Sequence, residues 1–208
     1  RDYIDALSQR YNGEPSTPRA PLDTSYAVAM EALKNKYPED NDAASLFSEA
    51  LMNTMPWNYW TDEGTPKPDT KKVLATLESV LSINPDHPLA IHLYIHAVEA
   101  SKTPERAEPY ADRLGKLVPG SGHLVHMPSH IFWRVGRYND ASQANIDAAQ
   151  VDEEYIAQCN AQGFYPAAYY PHNIHFLWAS AAMEGRSALS IESGIKVSNY
   201  VRIEMIKK

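Results

Sequence analysis

The side chains with the most chemistry in this chain are imidazoles, and their spacing is ordered. They stand as His92 and His96, as His123, His126 and His130, and as His172 and His175, with His87 apart from them. A shift of 34 residues carries His92 onto His126 and His96 onto His130. A shift of 49 carries His123 onto His172 and His126 onto His175. Seven of the eight histidines therefore fall on three equivalent positions, spaced i, i+3 and i+7, which is one stripe of an α-helix. Neutral imidazole is the commonest metal-ligating side chain and suits zinc, copper and iron. An i, i+4 pair on one helix can chelate a single ion at about 2.0–2.1 Å per nitrogen. A packed neighbouring helix, roughly 8–10 Å away, can supply a third ligand. The candidate metal ligands are His92, His96, His126, His130 and His175, with Glu49 or Glu99 completing the set or orienting an imidazole. His123, His172, Trp133 and Arg134 line the same stripe as candidate ligand-binding residues. Two other readings stand beside the metal. The stripe could be a hydrogen-bonded network in a packed interior, or, with Arg134 beside it, a binding surface for an acidic peptide or a small organic anion.

Helices are the elements that must carry this stripe. Tyr3, Ile4, Leu7 and Tyr11 predict a first helix closed by Asn12-Gly13. Asp23 then reads as the cap of a second, which ends before Pro38, and Asn41 to Asn53 predicts a third through Ala44, Phe47 and Leu51. No period-two alternation marks a strand, so the expected class is all-α. The helices also repeat. Ala107 in Lys102–Ala107 and Ala141 in Gly136–Ala141 lie 34 residues apart, as do Pro85 and Pro119, and Ser190 follows Ala141 after 49. The 34-residue period is that of tetratricopeptide repeats, in which two antiparallel helices form each unit and a small residue lets them approach closely. The expectation is a tetratricopeptide-like solenoid in one helical-repeat domain, 1–208, with units near 1–37, 41–83, 88–119, 122–154 and 170–200. Counted from the alanine at position twenty, the histidines occupy positions two, five and nine, the side facing the concave groove of such a stack.

Three local features complicate this register. Met55 to Pro68 and Tyr155 to Tyr169 are insertions, rich in aromatic residues at Trp57, Tyr59 and Trp60 and from Phe164 to Tyr170. They either fold over the histidines as lids or cap exposed core. Pro128 interrupts a predicted helix between His126 and His130. Either the helix kinks there, or it starts near Met127 and leaves His123 and His126 on a loop. Pro88 and Pro171 are expected in the first turns of helices, where proline is tolerated.

Composition excludes several functions. The chain has 208 residues, 19 Lys plus Arg against 26 Asp plus Glu, and a formal charge of −7. That balance disfavours binding to a nucleic-acid backbone and is compatible with a cationic ligand. No run of about 20 apolar residues is present to span a membrane. One cysteine, Cys159, leaves no disulfide framework and reads as a structural residue. Phosphate-binding glycine loops, the serine-hydrolase elbow, HExxH and EF-hand motifs are all missing. The opening Arg1-Asp2-Tyr3 has no Met and no leader, and Tyr200 to Lys208 stops without a cap signal, so the chain is expected to be a piece of a longer protein.

The segments His123–Ile131 (HLVHMPSHI), Tyr94-Ile95-His96 and Tyr170–Phe176 (YPHNIHF) resemble the signatures of a broad group of bacterial tetratricopeptide-repeat proteins. The resemblance runs from the first residues to about residue 187. It implies a helical-repeat fold, flanking repeats beyond this stretch, and a secreted or periplasmic location, with the cytoplasm as the alternative. It names no substrate. The expected function is a repeat protein whose histidine-lined groove binds a ligand, foremost a transition metal (Zn, Cu or Fe). A non-catalytic protein-interaction or self-assembling scaffold is the main alternative. A metal-dependent enzyme, with Glu49 or Glu99 as base, is the third reading.

Overall fold

A computed structural model describes residues 1–200, and among these the chain is helical apart from turns and one isolated bridge between Trp60 and Pro66. No helix among the described residues is long and apolar enough to cross a membrane. The chain divides into two compact units, Arg1–Thr103 and the stretch from Pro104 onward.

The N-terminal unit contains α1 (Asp2–Ser8), α2 (Arg19–Lys36), α3 (Asn41–Asn53), α4 (Pro68–Ile83) and α5 (Pro88–Val98). Each helix packs on the next in order, and α3 also meets α5. Their shared interior holds Met30, Phe47, Leu77, Leu81, Ile91 and Ile95, all at most 3% exposed. Local chemistry sets the helix starts. The Asp40 carboxylate accepts the Ala43 amide at 3.0 Å, and Pro68 and Pro88 begin α4 and α5, where a missing N–H leaves no bond unmade. His87 caps α5, accepting the Ala90 amide on Nδ1 at 3.3 Å, while its Nε2 lies 3.1 Å from Asp42. The histidine outside the stripe is thus a helix cap.

Two expectations fail here. Asp23 does not cap α2, which begins four residues earlier at Arg19. Pro21 fits its first turn, and Asp23 instead pairs with Arg19 at 2.8 Å and Arg10 at 3.4 Å. The first helix ends at Ser8, short of Asn12-Gly13, and Ile4, Leu7 and Tyr11 are exposed.

The C-terminal unit opens with a 3-10 turn (Pro104–Ala107) and α6 (Glu108–Leu117). It continues through α7 (Gly122–His126), α8 (Pro128–Val135), α9 (Tyr138–Cys159), α10 (Phe164–Met183) and α11 (Ser187–Tyr200). The short segments α7 and α8 pack against α6 on one side and α9 on the other, α10 packs on α9, and α11 on α10. Ala107, Ala141 and Ser190 are buried where the paired helices approach, as their place in the repeat predicts. The part of the chain from residue 201, including most of the stretch read as lacking a C-terminal cap, lies outside the described residues.

The two insertions behave differently. Residues 54–67 form a compact excursion between α3 and α4, as expected. The stretch 155–169 is no loop: α9 runs on to Cys159, Asn160 turns the chain in the left-handed conformation (φ 45°), and α10 starts at Phe164. The extra residues lengthen both helices of one hairpin. Pro171 consequently sits inside α10 and not in its first turn. Cys159 is exposed, so it fills no structural position in the core.

Candidate metal centre

The helix break at Pro128 builds the main site. Proline 128 has no N–H to continue the helical ladder, so α7 ends at His126 and α8 begins at Pro128, joined through Met127 with its backbone still right-handed helical (φ −50°, ψ −38°). The Met127 amide bonds the His123 carbonyl at 3.1 Å and the His130 amide bonds the Met127 carbonyl at 3.2 Å. The helix therefore breaks its ladder without unwinding, and His123 and His126 stay on a helical segment. The interruption leaves His126 and His130 on one side, with ring centroids 4.8 Å apart and their Nε2 atoms 3.0 Å apart.

Helix α10 brings the third imidazole. His172 lies 4.8 Å from His126 and 5.7 Å from His130, centroid to centroid. One nitrogen from each of His126, His130 and His172 falls within 4.8 Å of the others. A tetrahedral ion with bonds of about 2.0–2.1 Å needs its ligand nitrogens about 3.3 Å apart, and the Nε2 atoms of His126 and His130, 3.0 Å apart, lie near that spacing. Phe176, one turn after His172, stands 4.4 Å from His130 and 4.9 Å from His126, and walls the cluster with an apolar ring.

The buried member is oriented from behind. Asn145 of α9 donates through Nδ2 to the Ala141 carbonyl at 2.7 Å, which turns its Oδ1 towards His126 Nδ1 at 2.6 Å. An amide oxygen only accepts, so the proton of neutral His126 sits on Nδ1 and the lone pair on Nε2. His126 is fully buried, and burial, reinforced by His130 and His172, holds its pKa well below the ordinary imidazole value. It is a neutral imidazole presenting Nε2. His130 Nε2–H donates to that lone pair at 3.0 Å, the proton whose place a bound cation would take.

A second polar network holds the helices that carry these rings. Asp152 of α9, 1% exposed, accepts Tyr165 OH at 2.6 Å and Asn173 Nδ2 at 2.7 Å, both from α10. Burial raises the Asp152 pKa against the opposing effect of these two donors. Gly122 at the start of α7 fits only because it lacks a Cβ, which would lie 1.9 Å from Asp152 Oδ1. The aromatic extension closes on α7 as well. Tyr169 meets the His123 ring at 4.7 Å, and Tyr165 stacks on Tyr169 at 5.2 Å. This insertion covers His123 of its own unit.

The other sequence-predicted residues distribute as follows. His175 does not join the three-histidine cluster; it is exposed and packs on Trp178 at 5.4 Å, while His172, assigned only to the flanking set, takes its place. The extra residues lengthen α10, which presents His172 and Phe176 to the α7–α8 histidines together. Trp133 packs on Tyr138 and keeps a buried Nε1–H without a hydrogen-bond partner, and Arg134 is exposed at the end of α8. In the N-terminal unit His92 and His96 have ring centroids 5.0 Å apart, and Glu99 Oε1 lies 2.9 Å from His96 Nδ1. Glu49 is occupied by Asn53 at 3.4 Å and by Arg10 at 3.9 Å. Asn145 and Phe176 escaped the sequence reading. Phe176 lies within the YPHNIHF segment, but Asn145 stands on the second helix of its pair, where no stripe pointed.

No family model and no curated protein sequence matches the chain. Solved structures do. MamA, residues 41 to the end, from Desulfovibrio magneticus RS-1 superposes with a TM-score of 0.62 at 13% identity, over 88% of this chain and 87% of that one. The MamA RS-1 ArsTM double mutant gives 0.62 at 12% identity, over 86% and 84%. The fold is a tetratricopeptide-like helical repeat. At this identity the likeness extends to the fold and no further.

Proposed function

We propose that this helical-repeat protein binds a transition-metal ion in its C-terminal unit, through Nε2 of His126 together with His130 and His172. The observation that carries the reading is the orientation of His126. A fully buried imidazole, held neutral and aimed by an amide at its far nitrogen, is arranged as metal-ligating histidines are, with an outer partner fixing the tautomer. Three imidazole ligands suit zinc, copper or iron, and Phe176 lowers the local polarity around them. Titration of untagged protein with Zn(II), followed by calorimetry, should show a site that His172→Ala removes while the circular dichroism spectrum is retained. Unchanged Zn(II) binding in His172→Ala, or none in the parent protein, would refute it.

A second reading, a protein- or peptide-binding scaffold with the histidines as a hydrogen-bonded interior, draws support from the repeat fold itself, since stacked helix pairs commonly serve as binding surfaces. The same titration separates the two, because that scaffold takes up no metal.

A further inference from the structure

We propose that the N-terminal unit carries a cation site of its own, made by His92 and His96, oriented by Glu99 and covered by Trp57. This goes beyond the three-histidine centre and does not depend on it. The two imidazoles stand one turn apart on α5 with centroids 5.0 Å apart and planes at 62°, the spacing by which a single helix grips one ion. Glu99, at the C-terminal end of that helix, has Oε1 2.9 Å from His96 Nδ1. A carboxylate can only accept, so the proton of neutral His96 is drawn to Nδ1 and its lone pair to Nε2. The pairing is the carboxylate–histidine arrangement that orients metal-bound imidazoles. His96 and Glu99 side chains are 12% and 21% exposed, largely withdrawn from water.

The independent observation is Trp57. Its backbone has φ +60°, a conformation that a bulky non-glycine residue adopts only when its surroundings enforce it. Yet Trp57 is 71% exposed and contributes nothing to the core. What its strained backbone achieves is placement: the indole meets His96 at 5.1 Å, edge to face. The segment bearing it is fastened to the helices beneath. Trp60 Nε1 donates to the Ala97 carbonyl of α5 at 2.8 Å, and Thr70 Oγ1 donates to the Tyr59 carbonyl at 2.6 Å. An exposed ring held by a strained backbone over a paired imidazole is a cover for whatever that imidazole binds. Two imidazole nitrogens suit a borderline divalent ion such as Cu(II), Ni(II) or Zn(II) rather than Mg(II) or Ca(II), which favour all-oxygen sets.

Cu(II) quenches indole emission at contact range, so Trp57 reports on its own site. Titration of the untagged chain with CuCl2 should give a quenching phase that Trp57→Phe abolishes, and that His92→Ala with His96→Ala shifts at least 100-fold to higher copper. Glu99→Gln, which keeps a hydrogen-bonding group against His96, should weaken the phase about 10-fold. His172→Ala, aimed at the other centre, should leave this phase in place. That result distinguishes the two proposals, since either site can fail without the other. A quenching phase unaffected by the double histidine substitution, or no phase lost in Trp57→Phe, would overturn the assignment.

Discussion

Helix α5 and the broken helix α7–α8 carry the same histidine pair at the same point of a 34-residue repeat, and their surroundings differ in kind. On α5 the pair sits on an unbroken helix, partly open to solvent, with a carboxylate behind His96 and a strained tryptophan above it. On α7–α8 proline 128 interrupts the ladder, His126 is sealed from water, an amide takes the carboxylate's place, and α10 adds a third imidazole. The contrast is electrostatic. A buried imidazole beside two others tolerates no proton and gains little from a charged orienting partner it would have to desolvate, so a neutral amide suffices. An imidazole that water still reaches needs a charge to hold its tautomer.

The largest effect expected from this contrast is at His126 itself. His126→Ala should weaken Zn(II) binding to the C-terminal unit by more than about 100-fold, beyond the range for losing an orienting partner alone. Calorimetry on the folded variant measures it, and a change under tenfold would erase the distinction between the two pairs. Next is Gly122→Ala, whose new methyl displaces Asp152 from Tyr165 and Asn173. It should destabilise the unit by about 1–3 kcal/mol in urea unfolding, whereas Gly13→Ala, which meets no neighbour, should show only the strain of its positive φ. Asn145→Ala should lower metal affinity about 10–100-fold with a smaller loss of stability.

Acidity sharpens the same comparison. Because folding depresses the His126 pKa, the unfolded chain binds a proton below about pH 6.5 that the folded chain refuses. Stability contributed by this group is present above that value and falls as pH drops, by at most about 1.4 kcal/mol per pH unit. Urea titrations from pH 7 to 5 should show this slope, and His126→Asn should flatten it. A slope identical in both proteins would mean that His126 is not the group responsible. The smallest effect is Trp57→Phe on stability, within about 0.5 kcal/mol for an exposed ring outside the core.

Much of the fold was legible because repetition is a strong signal. The alanine register placed Ala107, Ala141 and Ser190 at helix contacts, and Pro68 and Pro88 open helices. The excursion after α3 also lies at the insertion expected from Met55 to Pro68. The sequence was less informative where an insertion could extend a helix as readily as loop out. Pro166 within residues 155–169 and Pro171 just after them argue for interruption, but packing of α10 along α9 through Tyr165, Tyr170 and Asn173 outweighs one missing backbone bond. Because the extra residues extend α10, His172 and not His175 meets His126 and His130. Asn145 was invisible for a different reason: its role depends on a contact between two helices, which no periodicity within one of them encodes.

The central claim is that three nitrogens converge to hold one ion. Crystals of the untagged chain grown with ZnCl2, with diffraction recorded on both sides of the zinc absorption edge, test it most directly. The account predicts an anomalous peak about 2.0–2.1 Å from nitrogens of His126, His130 and His172, with His126 Nδ1 still bonded to Asn145. No peak there, with His126 Nε2 still hydrogen-bonded to His130, would contradict it.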